Sequence, residues 1–138
     1  MNCPVCKTAM VILELQSVEI DYCPSCHGIW LDSGELELLM EDSVEKEKLL
    51  NSFLKDDKSK EQKLKCPICR KKMDKILVGR DKNVLIDKCK NSHGLWFDKG
   101  ELESIISMGS FDKNNKVLQL IKEMFGHRLK INPNGGNT

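Results

Sequence analysis

Val18, Ile20 and Tyr22 are apolar, and Glu19 and Asp21 between them are charged. A period of two is that of a strand with one buried face. Residues 10–15 just upstream are rich in aliphatic side chains, with Gln16 and Ser17 at a turn, so 10–22 reads as a hairpin. A second hairpin is predicted from residues 76–78 and 84–86, which flank the tip Gly79-Arg80-Asp81-Lys82-Asn83. The period then changes. Leu36, Leu39 and Met40 share a helical face, as do Leu102, Ile105 and Ile106. Asp32 with Glu35, and Asp98 with Glu101, have the spacing of a capping box at the start of each helix. A further helix is expected in each half. One is capped by Ser43 and carries Val44, Leu50, Phe53 and Leu54; the other is capped by Asp112, carries Val117, Leu118, Ile121, Met124 and Phe125, and stops near Gly126. Trp30 and Trp96 are expected to be core residues closing each hairpin unit against its helix.

These elements belong to an internal repeat. Cys-Pro-Val-Cys at 3–6 is followed by DYCPSCHGIWLDSGELE at 21–37; Cys-Pro-Ile-Cys at 66–69 is followed by DKCKNSHGLWFDKGELE at 87–103. The offset is 63 residues at the first motif and 66 at the second, so the second copy is longer by three residues, which are expected to lengthen its hairpin tip. The fold class read from this is small α+β: two tandem zinc ribbons, each a β-hairpin with metal-binding knuckles followed by helices. The boundaries are 1–54 for the first ribbon and its helices, 55–63 for a linker without apolar residues, 64–127 for the second ribbon and its helices, and 128–138 for a largely disordered tail.

Composition narrows the class. The 138 residues are 40% hydrophobic, 31% charged and 5% aromatic, with a net charge of +1. That is globular, with too few aromatics for a large core, and no apolar run approaches the ~20 residues that cross a bilayer. Seven cysteines are the outstanding feature. The odd count argues against a complete disulfide framework, and a candidate ligand at position 3 leaves no room for a secretory leader. The expected compartment is a reducing cytoplasm, where Cys-x-x-Cys spacing usually means metal.

Cys3, Cys6, Cys23 and Cys26 form two knuckles joined by a hairpin. Four thiolates at ~2.3 Å suit tetrahedral zinc and leave no open position. The rivals are rubredoxin-like iron and four free buried thiols; the second fails because so small a unit lacks the core to fold alone. In the second copy Ser92 replaces Cys26, but Cys66, Cys69, Cys89 and His93 still supply three thiolates and an imidazole at a usual spacing. An empty site, or three thiolates and a water, are the alternatives there. His27 beside a complete set is read as structural. Two zinc ions per chain are expected.

The run C-P-x-C…C-P-x-C-H-G-x-W-L-D-x-G-E-L resembles the small zinc ribbons grouped with transcription factor IIB. Residues 3–37 match throughout, and 66–102 match except at Lys90 and Ser92, which stand where the first copy has Pro24 and Cys26. The resemblance implies a ribbon fold with one structural zinc per repeat, and its label suggests transcription.

Charge is distributed unevenly: residues 1–63 sum to −6 and residues 64–138 to +7. The basic second ribbon offers Arg70, Lys71, Lys72, Lys75, Arg80, Lys82, Lys88 and Lys90 as candidate nucleic-acid contacts, Lys and Arg being the residues that neutralise phosphate. The alternative is a protein-interaction module or homodimer, using the apolar helix faces at 44–54 and 117–125 and the opposite charges of the halves. No membrane partner is expected. Nor is an enzyme: closed zinc sites have no free coordination position, and no catalytic constellation is present. The chain reads as a zinc-binding, non-enzymatic adaptor.

Overall fold

In a computed structural model of the chain, the described residues are 1–15, 17–39, 44–58, 60–79 and 84–108. The expected helix at 112–125, the tail at 128–138, the hairpin tip with Arg80 and Lys82, Gln16, Met40 and Ser43 lie outside them. The fold is a small α+β structure. Its strands are β1 (Val11–Leu15), β2 (Val18–Tyr22), β3 (Ile29–Asp32), β4 (Leu54–Lys55), β5 (Asp74–Val78), β6 (Val84–Lys88) and β7 (Gly94–Phe97). Its helices are α1 (Glu35–Leu39), α2 (Val44–Asn51) and α3 (Glu101–Met108).

All seven strands of the described residues join one antiparallel sheet in the order β1-β2-β3-β7-β6-β5-β4. Each repeat thus contributes a three-stranded meander, and β3 and β7 join the meanders edge to edge. Their register places Trp30 opposite Trp96, flanked by Ile29 opposite Phe97 and Leu31 opposite Leu95. Because residues 29–31 correspond to 95–97 in the repeat, a pseudo-twofold axis passes between the two tryptophans. β4 breaks this symmetry. It follows the first repeat in sequence but lies on the outer edge of the second, with Leu54 opposite Leu77. Asp56 N–H donates to the Lys75 carbonyl and Gly79 N–H to Ser52 Oγ, fixing the connection to that edge.

The two sheet faces carry different cores. On the helix side, Val18, Ile20, Tyr22, Ile29 and Leu31 pack with Leu36, Leu39 and Leu49, and continue into Ile76, Val78, Ile86, Phe97, Leu102 and Ile105. Val18, Ile20 and Tyr22 are buried while Glu19 is exposed, so the alternation in the sequence is realised. Leu50 and Phe53 also pack on this core. The opposite face carries the four knuckles, where Cys3, Cys23, Cys66 and Cys89 pack with Met10, Met73, Trp30 and Trp96. The tryptophans are therefore core residues, but they close the sheet against the knuckles and not against the helices. The reason is parity: Ile29 and Leu31 face the helices, so Trp30 must point the other way.

The rest of the repeated motif follows from this arrangement. A Cβ on Gly28 would lie 2.2 Å from the Trp96 ring, and one on Gly94 would lie 2.7 Å from the Trp30 ring, so each glycine makes room for the other repeat's indole. Each indole N–H donates to the aspartate two residues on, Trp30 to Asp32 at 2.9 Å and Trp96 to Asp98 at 3.0 Å. The backbone N–H of each aspartate donates in turn to the glutamate three residues later, at 2.7 Å for Glu35 and 2.8 Å for Glu101. That is one arm of a capping box; an oxygen of the aspartate that would make the other arm accepts from the indole. Gly34 and Gly100, at φ +90° and +87°, provide the left-handed turn between strand and helix.

One cross-strand row runs Ile12, Asp21, Trp30, Trp96, Asp87, Lys75. Lys75 and Asp87 are 3% and 1% exposed and pair at 2.7 Å, with Glu61 3.3 Å from the same ammonium. Burial disfavours the Lys75 ammonium, but these carboxylates outweigh it and hold its pKa above the ordinary value. Asp87 is pushed up by burial, against the pull of Lys75. Lys75 is thus a correction to the sequence reading: it forms a buried ion pair and is not displayed to a polyanion.

Candidate metal centres

Each knuckle is a tight turn whose backbone N–H groups point at a cysteine sulfur. Val5 and Cys6 N–H lie 3.3 and 3.2 Å from Cys3 Sγ, and Cys26 N–H lies 3.4 Å from Cys23 Sγ. In the second repeat Ile68 N–H is 3.4 Å from Cys66 Sγ and Asn91 N–H is 3.3 Å from Cys89 Sγ. The first three knuckles share a further device. The residue after the second cysteine is left-handed, at φ 65° for Lys7, 66° for His27 and 65° for Arg70, and its N–H returns to the carbonyl of the first cysteine.

The fourth knuckle differs because Ser92 replaces a cysteine. Here Ser92 itself is left-handed, at φ 60°, and its N–H bonds the Cys89 carbonyl. Moving the turn one residue earlier brings His93 into the donor set, with Nδ1 3.4 Å from Cys89 Sγ and 4.0 Å from Cys66 Sγ. His27, at the corresponding position, bonds the Tyr22 hydroxyl through Nδ1 instead.

The donor atoms converge as two sets, Cys3, Cys6, Cys23 and Cys26, and Cys66, Cys69, Cys89 and His93, each within 4.8 Å of one another. Bonds of ~2.3 Å to tetrahedral zinc put sulfurs ~3.8 Å apart, and a zinc-bound imidazole nitrogen ~3.6 Å from a sulfur. Cys3 and Cys26 sulfurs are 3.7 Å apart and Cys69 and Cys89 sulfurs 3.6 Å, far beyond the ~2.05 Å of a disulfide. The seven cysteines are free thiols, and the two sets fit two zinc ions.

Electrostatics agree. Burial pushes the Cys3 and Cys26 thiols up, and Cys66 to about 11. Burial also opposes ionisation of Cys23, but bonds from the Cys26 and Ser25 backbone outweigh it and lower its pKa to about 6; the Lys71 backbone is the main cause of the same shift at Cys69, also to about 6. Each set thus pairs one thiol that ionises readily, Cys23 or Cys69, with at least one that burial holds back, Cys3 and Cys26 or Cys66. A dication at the centre reverses that resistance.

His93→Ala should therefore release zinc from the second set, whereas His27→Ala should leave two zinc ions bound; metal analysis after dialysis reads both. Retention of two ions by His93→Ala would remove His93 from the donor set.

The candidate nucleic-acid contacts are placed unevenly. Arg70, Lys71, Lys72, Lys88 and Lys90 are exposed, and Lys90 lies 3.8 Å from Asp74. Lys65, another cation of this ribbon, is exposed and directly opposite Lys72 in an isolated antiparallel bridge. No described helix is long and apolar enough to cross a membrane.

A family model described as a transcription factor zinc-finger matches residues 2–42 and 65–108, one segment for each repeat and together well over half of the chain. No curated protein and no solved structure matches.

Proposed function

We propose, from the premise that the chain belongs to the transcription factor zinc-finger family, that it is a zinc-folded, non-enzymatic adaptor that binds nucleic acid through the first knuckle of its second repeat. The observation that carries this reading is an unbalanced group of cations. Lys65, Arg70, Lys71 and Lys72 are exposed around one knuckle, and none makes an ion pair with a described carboxylate. Lys65 and Lys72 even stand opposite each other, where like charges are unfavourable. The first repeat has Asn2, Lys7, Thr8 and Ala9 at the same places, a single cation. A phosphate backbone offsets such repulsion and releases counterions as it binds. The non-enzymatic part rests on the two donor sets, each of which fills a tetrahedral ion.

The zinc-loaded chain should bind DNA or RNA at low salt, with a log–log salt slope of roughly −0.9 per duplex phosphate contacted. Charge reversal at Lys71 and Lys72 should weaken it ten-fold or more with two zinc ions retained. If single- and double-stranded DNA and RNA all fail to bind, the reading falls.

A second reading is favoured by β1, an edge strand on which Val11 and Ile12 are 44% and 64% exposed. A partner protein adding a strand there would use the unpaired backbone of that edge. The apolar face at 44–54 offers less, because Leu49, Leu50 and Phe53 pack on the chain's own core.

A further inference from the structure

The first knuckles of the two repeats face each other across a cleft of about 500 Å³. Its walls are the two Cys-Pro turns, at Pro4 and Pro67. Among the described residues three cationic side chains line it, Lys7 from the acidic repeat and Lys65 and Arg70 from the basic one, and no carboxylate does. We infer that this cleft seats a phosphate group of a nucleic-acid strand, with Lys7 and Arg70 gripping it from opposite repeats. The inference rests on the nucleic-acid reading above and makes the site a property of the paired repeats, not of the second repeat alone.

The backbone sets these two side chains at equivalent turns of the two repeats. Lys7 and Arg70 both occupy the left-handed region, at φ 65°, which glycine or asparagine adopts more readily. Long cationic side chains therefore stand at both turns although the local geometry favours other residues. Lys7 Nζ donates one hydrogen bond to the Pro4 carbonyl at 3.0 Å, which places the ammonium beside the cleft wall and leaves two donors for a ligand. Arg70 presents a planar fork suited to two phosphate oxygens.

The competing role for these cations is to balance the zinc centres behind them, formally −2 for four thiolates and −1 for three. The two roles have different consequences. A balancing cation affects metal retention, whereas a phosphate contact affects only ligand binding and its salt dependence.

The test uses the full zinc-loaded chain and Lys7→Asn, Arg70→Asn and the double variant, asparagine being suited to the left-handed turn. Lys58→Asn, an exposed lysine distant in sequence from both knuckles, is the control. Short single-stranded DNA and RNA and inorganic phosphate are titrated across salt concentrations, and zinc content is measured throughout. Each single variant should lose about five- to ten-fold in oligonucleotide affinity, with the salt slope shallower by about 1 per cation removed. Lys58→Asn should match the parent, and every variant should keep two zinc ions. Oligonucleotide binding unchanged in Lys7→Asn would overturn the cleft while leaving the nucleic-acid reading standing. Loss of zinc from Lys7→Asn with ligand affinity per folded molecule preserved would also overturn it, in favour of charge balance. A parent chain that binds no oligonucleotide, but whose Lys7 and Arg70 amides shift with phosphate, would leave an anion site and remove both nucleic-acid claims. Silence towards both ligands would remove the site altogether.

Discussion

Stripping zinc with a strong chelator should unfold the whole chain, not merely loosen its knuckles. The core on the knuckle face is built around ligands: Cys3, Cys23, Cys66 and Cys89 are buried with Met10, Met73, Trp30 and Trp96. Without metal, the four knuckles lose the bonds that tie them together over the two tryptophans. Structural zinc contributes an apparent ~10–16 kcal/mol per site, comparable with the ~5–15 kcal/mol that is the total stability of an ordinary domain. Because one sheet spans both repeats, loss at one centre should reach the other. Cys3→Ser and Cys66→Ser should each lower the melting transition of the entire molecule. Acidification should act as the chelator does, since the thiolates and the imidazole must shed protons to bind metal. The measurements are zinc stoichiometry, expected at two, and near-ultraviolet circular dichroism of the tryptophans. A metal-free sample that keeps its native tryptophan signal would refute the dependence on metal.

The second large effect should come from a single methyl group. Gly94→Ala places a Cβ 2.2 Å from the Leu31 carbonyl oxygen and 2.7 Å from the Trp30 ring. The first of these is backbone of the adjoining strand and cannot rotate away, so β3 and β7 must separate where the repeats join. Ordinary overpacking costs ~1–3 kcal/mol, and a clash with strand backbone should reach or exceed the top of that range. Gly28→Ala should be milder, because its nearest backbone atom, the Phe97 carbonyl oxygen, lies at 3.2 Å, and its 2.2 Å approach is to the edge of the buried Trp96 ring. Gly34→Ala is a different comparison: apart from its own residue and its chain neighbours no described atom lies within 4 Å of its Cβ, and its cost is the left-handed φ of +90°. Denaturant unfolding of the three zinc-loaded variants should rank Gly94→Ala as the most destabilised. Equal stability of Gly94→Ala and the parent would mean that β3 and β7 do not pair as described.

Much of the site was legible in the sequence because metal ligation is a local code. Two Cys-x-x-Cys turns and a hairpin between them define a centre whatever surrounds it. His93 could be named from spacing, although the left-handed Ser92 that turns it inward could not. The Val18-Ile20-Tyr22 alternation gave a half-buried strand for the same local reason. What escaped the sequence was register between distant segments. The apolar triplets Ile29-Trp30-Leu31 and Leu95-Trp96-Phe97 have the composition of strands buried on both faces. Nothing within either triplet says that the other is its neighbour. Lys75 looked like one more surface lysine until strand pairing set it opposite Asp87. β4 is two residues long and half polar, too short for any period to reveal. The two glycines before the tryptophans were visible as part of a repeated motif, and only the packing of each against the other repeat's indole gives them a reason.

The pairing of β3 with β7 has the geometry of a homodimer joined into one polypeptide, and the join changes what the interface must do. Two separate chains would have to meet at their cellular concentration; two tethered units see each other at an effective concentration of order millimolar, so a four-residue strand contact and a pair of indoles need only modest intrinsic affinity. The tether also lifts a constraint on composition. In a true homodimer every substitution appears on both sides of the axis, so an acidic unit can face only an acidic unit. Here one unit carries −6 and the other +7, one centre has four thiolates and the other three and an imidazole, and the tryptophans on the axis stay alike. Specialisation of the halves and preservation of their joint are thus independent, which lets a single short chain present two chemically different zinc knuckles at fixed distance.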